Sequence, residues 1–266
     1  MRSILLNVSD DSCLEARLQV TLDLARTFDA HITCLQPIPF DFTVPGDLYG
    51  TLADQLMPEF EADADKLRGR LSERLANEDV TWDWRQERGP VRALLMRTAA
   101  LADLVVLGAR DPLSEGKGPS SLAGYMAVHA RIPLLVVPES ARSLDVTGPA
   151  LVGWNGSLEA AHALRDAVPL LRRAASVTLA CVTEHAEDPG ALLPAVDGAE
   201  YLARHAIACE IVEIGRGNQA VGLLLANAAA ARGAAYLVAG AYGHTRASET
   251  VFGGVTRELF SDPPLP

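Results

Sequence analysis

Lysine is nearly absent: the chain has only Lys66 and Lys117, and its 23 basic residues face 34 acidic ones for a net charge of −11. Neither half is basic. A chain without a positive field does not neutralise nucleic-acid phosphates, so no nucleic-acid partner is expected. The same scarcity leaves no polybasic patch for an anionic membrane. Long apolar runs are missing too. Asp10 and Asp11 interrupt the first one too early for a secretory leader. The longest weakly polar stretch, 220–231, contains Asn227 and stops at Arg232, short of the ~20 residues that cross a bilayer. Cysteine is sparse, at 13, 34, 181 and 209, with no C-x-x-C pair. Buried reduced thiols and a cytoplasmic location are the expectation. No His-Glu-x-x-His or Cys/His cluster suggests a metal. The Gly-x-Ser-x-Gly elbow of hydrolases is also missing.

Aromatics are 5% of the chain, while 49% is hydrophobic and carried by Ala, Leu and Val. That composition suits helices packed on a parallel sheet. At 266 residues the chain fits two domains of about 130 residues each. An internal repeat supports the division. Ile4–Ser12 and Leu151–Ser157 are each a short apolar run that stops at small polar residues. A helical pattern follows each, through Leu14, Leu18, Leu22 and Ala25, and through Ala160, Leu164, Val168 and Leu171. Second strands are expected at His31–Gln36 and Val177–Val182, third strands at Val80–Gln86 and Ala208–Ile214. Fourth strands at Leu104–Leu107 and Tyr236–Ala239 each end at a glycine, Gly108 and Gly240. Only half one continues to a fifth strand, at Pro133–Val137; half two reaches Pro266 where its own should begin. The stretch Pro37–Pro58 reads as a loop, lid or edge-covering flap. Phe60, Ala64, Leu67, Leu71 and Leu75 form a helical stripe after it. The expected architecture is α/β, with two tandem doubly wound parallel sheets, residues 1–140 and 149–266, joined by a linker around Ser140–Gly148. Ligands of such sheets bind beyond the carboxyl ends of the strands, where the winding reverses.

The loop after the fourth strand of half two carries the chemistry. It reads GAYGHTRASETVFGGVT from Gly240: glycine, two residues, Gly243, nine residues, then Gly253-Gly254. Glycines let a backbone approach an anion closely, and N–H groups opening a helix cradle phosphate without a lysine. This spacing resembles the nucleotide loop of the universal stress protein family, and the resemblance extends over nearly the whole chain as two tandem copies. The family pattern ends in Gly followed by Ser or Thr; Gly254 departs from it and removes a hydroxyl donor.

The resemblance implies strand order 3-2-1-4-5 in each half, the second lacking its last strand. It also implies ATP, with or without magnesium, or a similar adenine nucleotide in half two. Asn155 stands where the family carries an Asp after strand one; its amide can still hydrogen-bond adenine or ribose. Trp154 and Gly156 border that loop, and Val182 would line the adenine pocket. Ala239, Gly240, Tyr242 and Gly243 would flank ribose and phosphates, and Gly253, Gly254, Val255 and Thr256 would hold the phosphate tail. His244 could add a charge-assisted contact. Arg246 and Glu249 fit a solvated loop.

Half one departs further. Asp111 replaces the second glycine, the loop is one residue shorter, Pro112 and Pro119 restrict it, and Ser120-Ser121 takes the place of Gly-Ser/Thr. Asp111 would repel a phosphate, so no ATP, or weak binding at best, is expected there; packing, partner contact or another small ligand is the expected role.

Three motifs are decoys. Gly215–Ala220 matches Gly-x-Gly-x-x-Ala, but no acidic residue follows in 235–241 to hold a ribose. Gly116-Lys117 lacks the first glycine and the Ser/Thr of a Walker loop. Ser114–Lys117 lacks the companion motifs of a Ser-x-x-Lys enzyme. The Ser-Gly-Gly-x-Asp-Ser signature of ATP pyrophosphatases finds only Asn155-Gly156-Ser157. No catalytic residue is assigned, and slow ATP hydrolysis is the most chemistry the resemblance allows. The expected role is a nucleotide-dependent stress-response switch or scaffold. The halves would pair within the chain as a pseudo-dimer, or two chains as a homodimer. The alternative is a nucleotide-independent scaffold of the same fold that dimerises or captures a partner.

Overall fold

The computed structural model describes residues 1–38, 51–111, 118–183, 193–241, 254–261 and 263–266. Half one builds a five-stranded parallel sheet from β1 (Ser3–Asn7), β2 (His31–Ile38), β3 (Thr81–Arg88), β4 (Leu104–Gly108) and β5 (Leu134–Val137). Its strand order is β3-β2-β1-β4-β5. The connections are α1 (Leu14–Phe28), α2 (Thr51–Leu75), α3 (Val91–Ala99) and α4 (Ser121–His129). Half two repeats the plan with β6 (Ala150–Trp154), β7 (Val177–Thr183), β8 (Cys209–Gly215) and β9 (Tyr236–Val238) in the order β8-β7-β6-β9. Its helices are α5 (Leu158–Leu171), α6 (Ala195–Arg204), α7 (Val221–Ala231) and α8 (Gly254–Ser261). Among the described residues the second sheet has four strands.

The central strands are apolar because helices cover both their faces. Leu104–Gly108 is buried throughout, and so is Ile4–Asn7 in β1. The edge strands β3 and β8 have only half-buried and exposed positions, as strands at the rim of a sheet do. Within half one, Leu67, Leu71 and Leu75 of α2 pack one face of the sheet, while Leu94, Leu95 and Met126 pack the other. The first of these clusters runs on into half two, through Val152, Leu164, Leu171 and Leu179. Phe260 of α8 packs in turn against the second cluster of half one. The guanidinium of Arg173 sits 5.2 Å from the ring centre of Phe28, and Leu144 N donates to Asp23 Oδ2 at 2.8 Å. The two halves therefore share apolar surface.

Most expected elements fall within a few residues of their observed bounds. The clear difference is α2. It begins at Thr51, so Pro58 lies inside a helix and not at the end of a loop. Its ring removes one backbone donor, but Met57 beside it is buried and anchors that turn. Residues 39–50 of the expected lid lie outside the described residues. Phe60, placed on the apolar stripe, is 37% exposed, while Leu67, Leu71 and Leu75 of the same stripe are buried in the first cluster.

Two pieces of backbone show how far the repeat goes. In half one, Val105 N donates to Pro133 O at 3.1 Å, the last residue before β5. In half two, Leu237 N donates to Pro266 O at 3.0 Å. Val105 and Leu237 hold the same register against Leu5 and Leu151. Pro266 thus sits where Pro133 does. All four cysteines are free. Burial, with the Asp83 charge adding to it, pushes the Cys34 thiol up to about 12. No helix among the described residues is long and apolar enough to cross a membrane.

Candidate functional site

The winding of half two reverses between β6 and β9. Here β6 pairs with β7 on one side and with β9 on the other, and the β6–β9 ladder ends at Val152–Val238. The loops after those two strands therefore flank the position where open α/β sheets bind ligands.

The first loop is tightly organised. Asn155 is exposed, and its Oδ1 accepts from Ser157 N at 3.2 Å. Gly156 is buried with φ +70°, a conformation in which a side chain would be strained. Its carbonyl accepts from Leu193 N at 3.1 Å. Ser157 is the N-cap of α5, its hydroxyl accepting from Ala160 N at 3.1 Å. Trp154 is buried. Its indole N–H donates to Leu193 O at 3.3 Å, and a Cβ on Gly198 would meet its ring at 3.3 Å. It is thus a supporting wall beneath α6. Val182 packs in the cluster on the opposite face of the sheet, with Leu225 and Ile214, so the structure separates these two expected site residues.

The second loop opens with Ala239 and Gly240, both half-buried. A Cβ on Gly240 would lie 2.6 Å from Ala160 N and 2.6 Å from Glu159 C. The strand end and the first turn of α5 thus meet backbone to backbone, and only glycine fits. Tyr242, Gly243, His244 and Gly253, with the rest of 242–253, lie outside the described residues. Beyond them Gly254, Val255 and Thr256 form the first turn of α8. Gly254 is exposed, and a Cβ on it would meet nothing within 4 Å among the described residues; Val255 packs in the third cluster, and Thr256 is buried. Glu258 fixes α8 in place: its Oε2 accepts from Gly222 N at 2.9 Å, at the start of α7. A Cβ on Gly222 would lie 2.7 Å from Glu258 Cβ, so the two helices approach closely there.

The corresponding position in half one is filled. Arg17, from the first turn of α1, is 1% exposed. It grips Asp11 with both terminal nitrogens, Nη1 to Oδ1 at 2.8 Å and Nη2 to Oδ2 at 2.9 Å, and Nη2 also donates to Ser9 O at 3.1 Å. A Cβ on Gly108 would lie 2.3 Å from Arg17 Nη1 and 2.9 Å from Cys13 Cβ. Where half two packs helix backbone on its glycine, half one packs a guanidinium. Asp111 turns onto the start of α4, where Ser121 N donates to its Oδ2 at 2.7 Å. The Arg17–Asp11 pair escaped sequence reasoning. Its signal was an arginine inside the apolar stripe of α1, three residues from Leu14 and four from Thr21, both buried.

Gly215–Ala220 follows β8, an edge strand, with Gly217 at φ +53°. It is a turn away from the switch point. Among the described residues, no group of three or more His, Cys, Asp or Glu side chains could hold a metal.

Known proteins place the fold. A universal stress protein from Archaeoglobus fulgidus DSM 4304 shares it at a TM-score of 0.76 and 14% identity, over 99% of this chain and 96% of that one. UspA from Lactobacillus plantarum aligns over 51% of this chain and 97% of its own, at 19% identity and a TM-score of 0.46. A universal stress protein family protein from Arabidopsis thaliana, with AMP bound, aligns over 52% of this chain and 92% of its own, at 14% identity and a TM-score of 0.38. No curated protein matches the chain. The model of the universal stress protein family matches residues 1–138, the half whose loop departs from the glycine pattern. The match spans more than half of the 266 residues, and the chain belongs to the universal stress protein family.

Proposed function

We propose that half two, residues 149–266, binds ATP or a similar adenine nucleotide at the switch point between β6 and β9, and that residues 1–140 serve as its nucleotide-independent packing partner. The observation that carries this reading is the contact at Gly240, where backbone meets backbone within reach of the reversal of the sheet. Gly156, on the neighbouring loop, holds a left-handed backbone beside it. Both loops are thus held beside the switch point by their main chain. The spacing Gly240, Gly243, Gly253, Gly254 continues that logic into the next segment.

In this reading Val182 supports the adenine, and Asn155 hydrogen-bonds adenine or ribose without contributing charge. Ala239, Gly240, Tyr242 and Gly243 flank the ribose and phosphates, with His244 beside them. Gly253, Gly254, Val255 and Thr256 offer N–H groups to the phosphate tail at the positive end of α8, with magnesium as a companion of the nucleotide. Trp154 acts from beneath, by fixing the loop that holds Asn155. The consequence of binding is a change of shape or partner under stress, with no catalytic residue required.

Calorimetric titration of nucleotide-stripped protein with ATP, beside the variant Gly243→Asp, tests the reading. One site of micromolar affinity, about −8 kcal/mol, lost in the variant, is expected. No heat in the wild type would remove the nucleotide and leave a scaffold that works through protein partners.

A further inference from the structure

Asp111 lies three residues beyond Gly108, as Gly243 lies three beyond Gly240. Its carboxylate does more than repel. Ser121 N donates to Oδ2 at 2.7 Å, Leu122 N to Oδ1 at 3.4 Å, and the buried Ser120 hydroxyl makes a short bond to Oδ1. Ser120 Oγ in turn accepts from Ala123 N at 3.0 Å. The donors that open α4 are therefore turned toward an anion, and the anion is part of the chain. Neighbouring backbone holds this arrangement. Ala109 N donates to Val137 O at 3.0 Å, and Ser120 N donates to Ala109 O at 3.1 Å. On the inner side, the bidentate Arg17–Asp11 pair occupies the space over Gly108.

We infer that half one is an internally liganded anion site: the Asp111 carboxylate holds the α4 donors that a phosphate would need, and the Arg17–Asp11 pair fills the floor behind it. A helix start favours negative charge whoever supplies it. A tethered carboxylate has a high effective concentration, so a free oxyanion cannot compete with it. Half one is thereby locked in its occupied form and is deaf to the nucleotide level. Replacing Asp111 by glycine, the residue half two has there, releases Ser120 Oγ, Ser121 N and Leu122 N for a tetrahedral oxyanion. None of this depends on nucleotide binding in half two.

The test is titration of the whole chain with inorganic phosphate, against sodium chloride of matched ionic strength, following the amide NMR signals of Ser121 and Leu122. In the wild type these signals stay where they are. In Asp111→Gly they shift saturably at millimolar phosphate, and phosphate raises the melting temperature of the variant more than that of the wild type. Asp111→Asn keeps the side-chain size and one acceptor while dropping the charge, so its two amides respond as well, more weakly. It carries the test if the glycine variant does not fold. Ser121 and Leu122 amides that ignore phosphate in a folded variant would overturn the inference, as would a wild type that responds as strongly as Asp111→Gly. ATP signals at 254–256 report on half two separately, so the two readings fail independently.

Discussion

Gly240 and Gly254 are alike in the sequence and differ in what surrounds them. A methyl group on Gly240 would meet the backbone of Glu159 and Ala160 at 2.6 Å, so strand and helix would have to part. Gly240→Ala is expected to cost about 1–3 kcal/mol of stability, and nucleotide affinity with it. Among the described residues, a Cβ on Gly254 would meet nothing within 4 Å, so Gly254→Ser should leave stability within about 0.5 kcal/mol. It should also tighten nucleotide binding by restoring the hydroxyl donor. Urea denaturation and ATP titration of the two variants check both. Asp11 is the third test at this scale. Its side chain is 4% exposed and it is the carboxylate partner of Arg17, itself 1% exposed. Asp11→Ala strands a buried guanidinium and should cost about 3–5 kcal/mol in the same assay. The close packing at Gly240 was signalled in the sequence by the glycine that ends the fourth strand. The ion pair was not, because Asp11 reads as a surface residue ending a strand until the fold brings α1 back over it. Nor could spacing reveal that Trp154 points away from Val182, since that depends on which face each residue takes after the strand is in register.

The elements themselves were the most legible level. Apolar runs that stop at glycine or small polar residues mark β1, β4, β6 and β9, because parallel strands covered on both faces need continuous hydrophobicity. The start of α2 was not legible: Pro58 reads as a stop, and only the burial of Met57 shows why a helix passes through it. Element pairing also sets a pH dependence. Asp103, just before β4, accepts at Oδ2 from the backbone N–H groups of Arg2 at 2.5 Å and Ser3 at 3.1 Å, tying β4 to β1. The Arg2 N–H chiefly, with Ser3 and against a smaller opposing effect of burial, holds its carboxyl below the ordinary value. A depressed carboxyl stabilises the fold fully above its unfolded value, about 3.9. That contribution fades as pH falls below it toward the folded value. Asp103→Asn should therefore be less stable than the wild type at neutral pH, with the gap closing below about pH 4. Denaturation at a series of pH values measures it.

Across the whole molecule, the repeated plan, with four strands in the second sheet among the described residues, was readable because both halves alternate strand and helix in the same rhythm. How the halves meet was not readable, since one apolar cluster drawn from both is a property of the assembled fold. That cluster predicts a single cooperative unfolding transition. Fluorescence of Trp154 in a Trp82→Phe, Trp84→Phe background reports on half two. It should melt together with the far-ultraviolet circular dichroism of the whole chain, and two separated transitions would show that the shared surface contributes little. Under the two readings proposed above the halves differ, one open to a nucleotide and the other closed by its own carboxylates. An amide NMR titration of the wild-type chain with ATP tests that difference most directly. Saturable shifts at Asn155, Gly156, Gly240 and 254–256 are expected, with Ser120, Ser121 and Leu122 unmoved. Shifts in both halves, or only in half one, would contradict it.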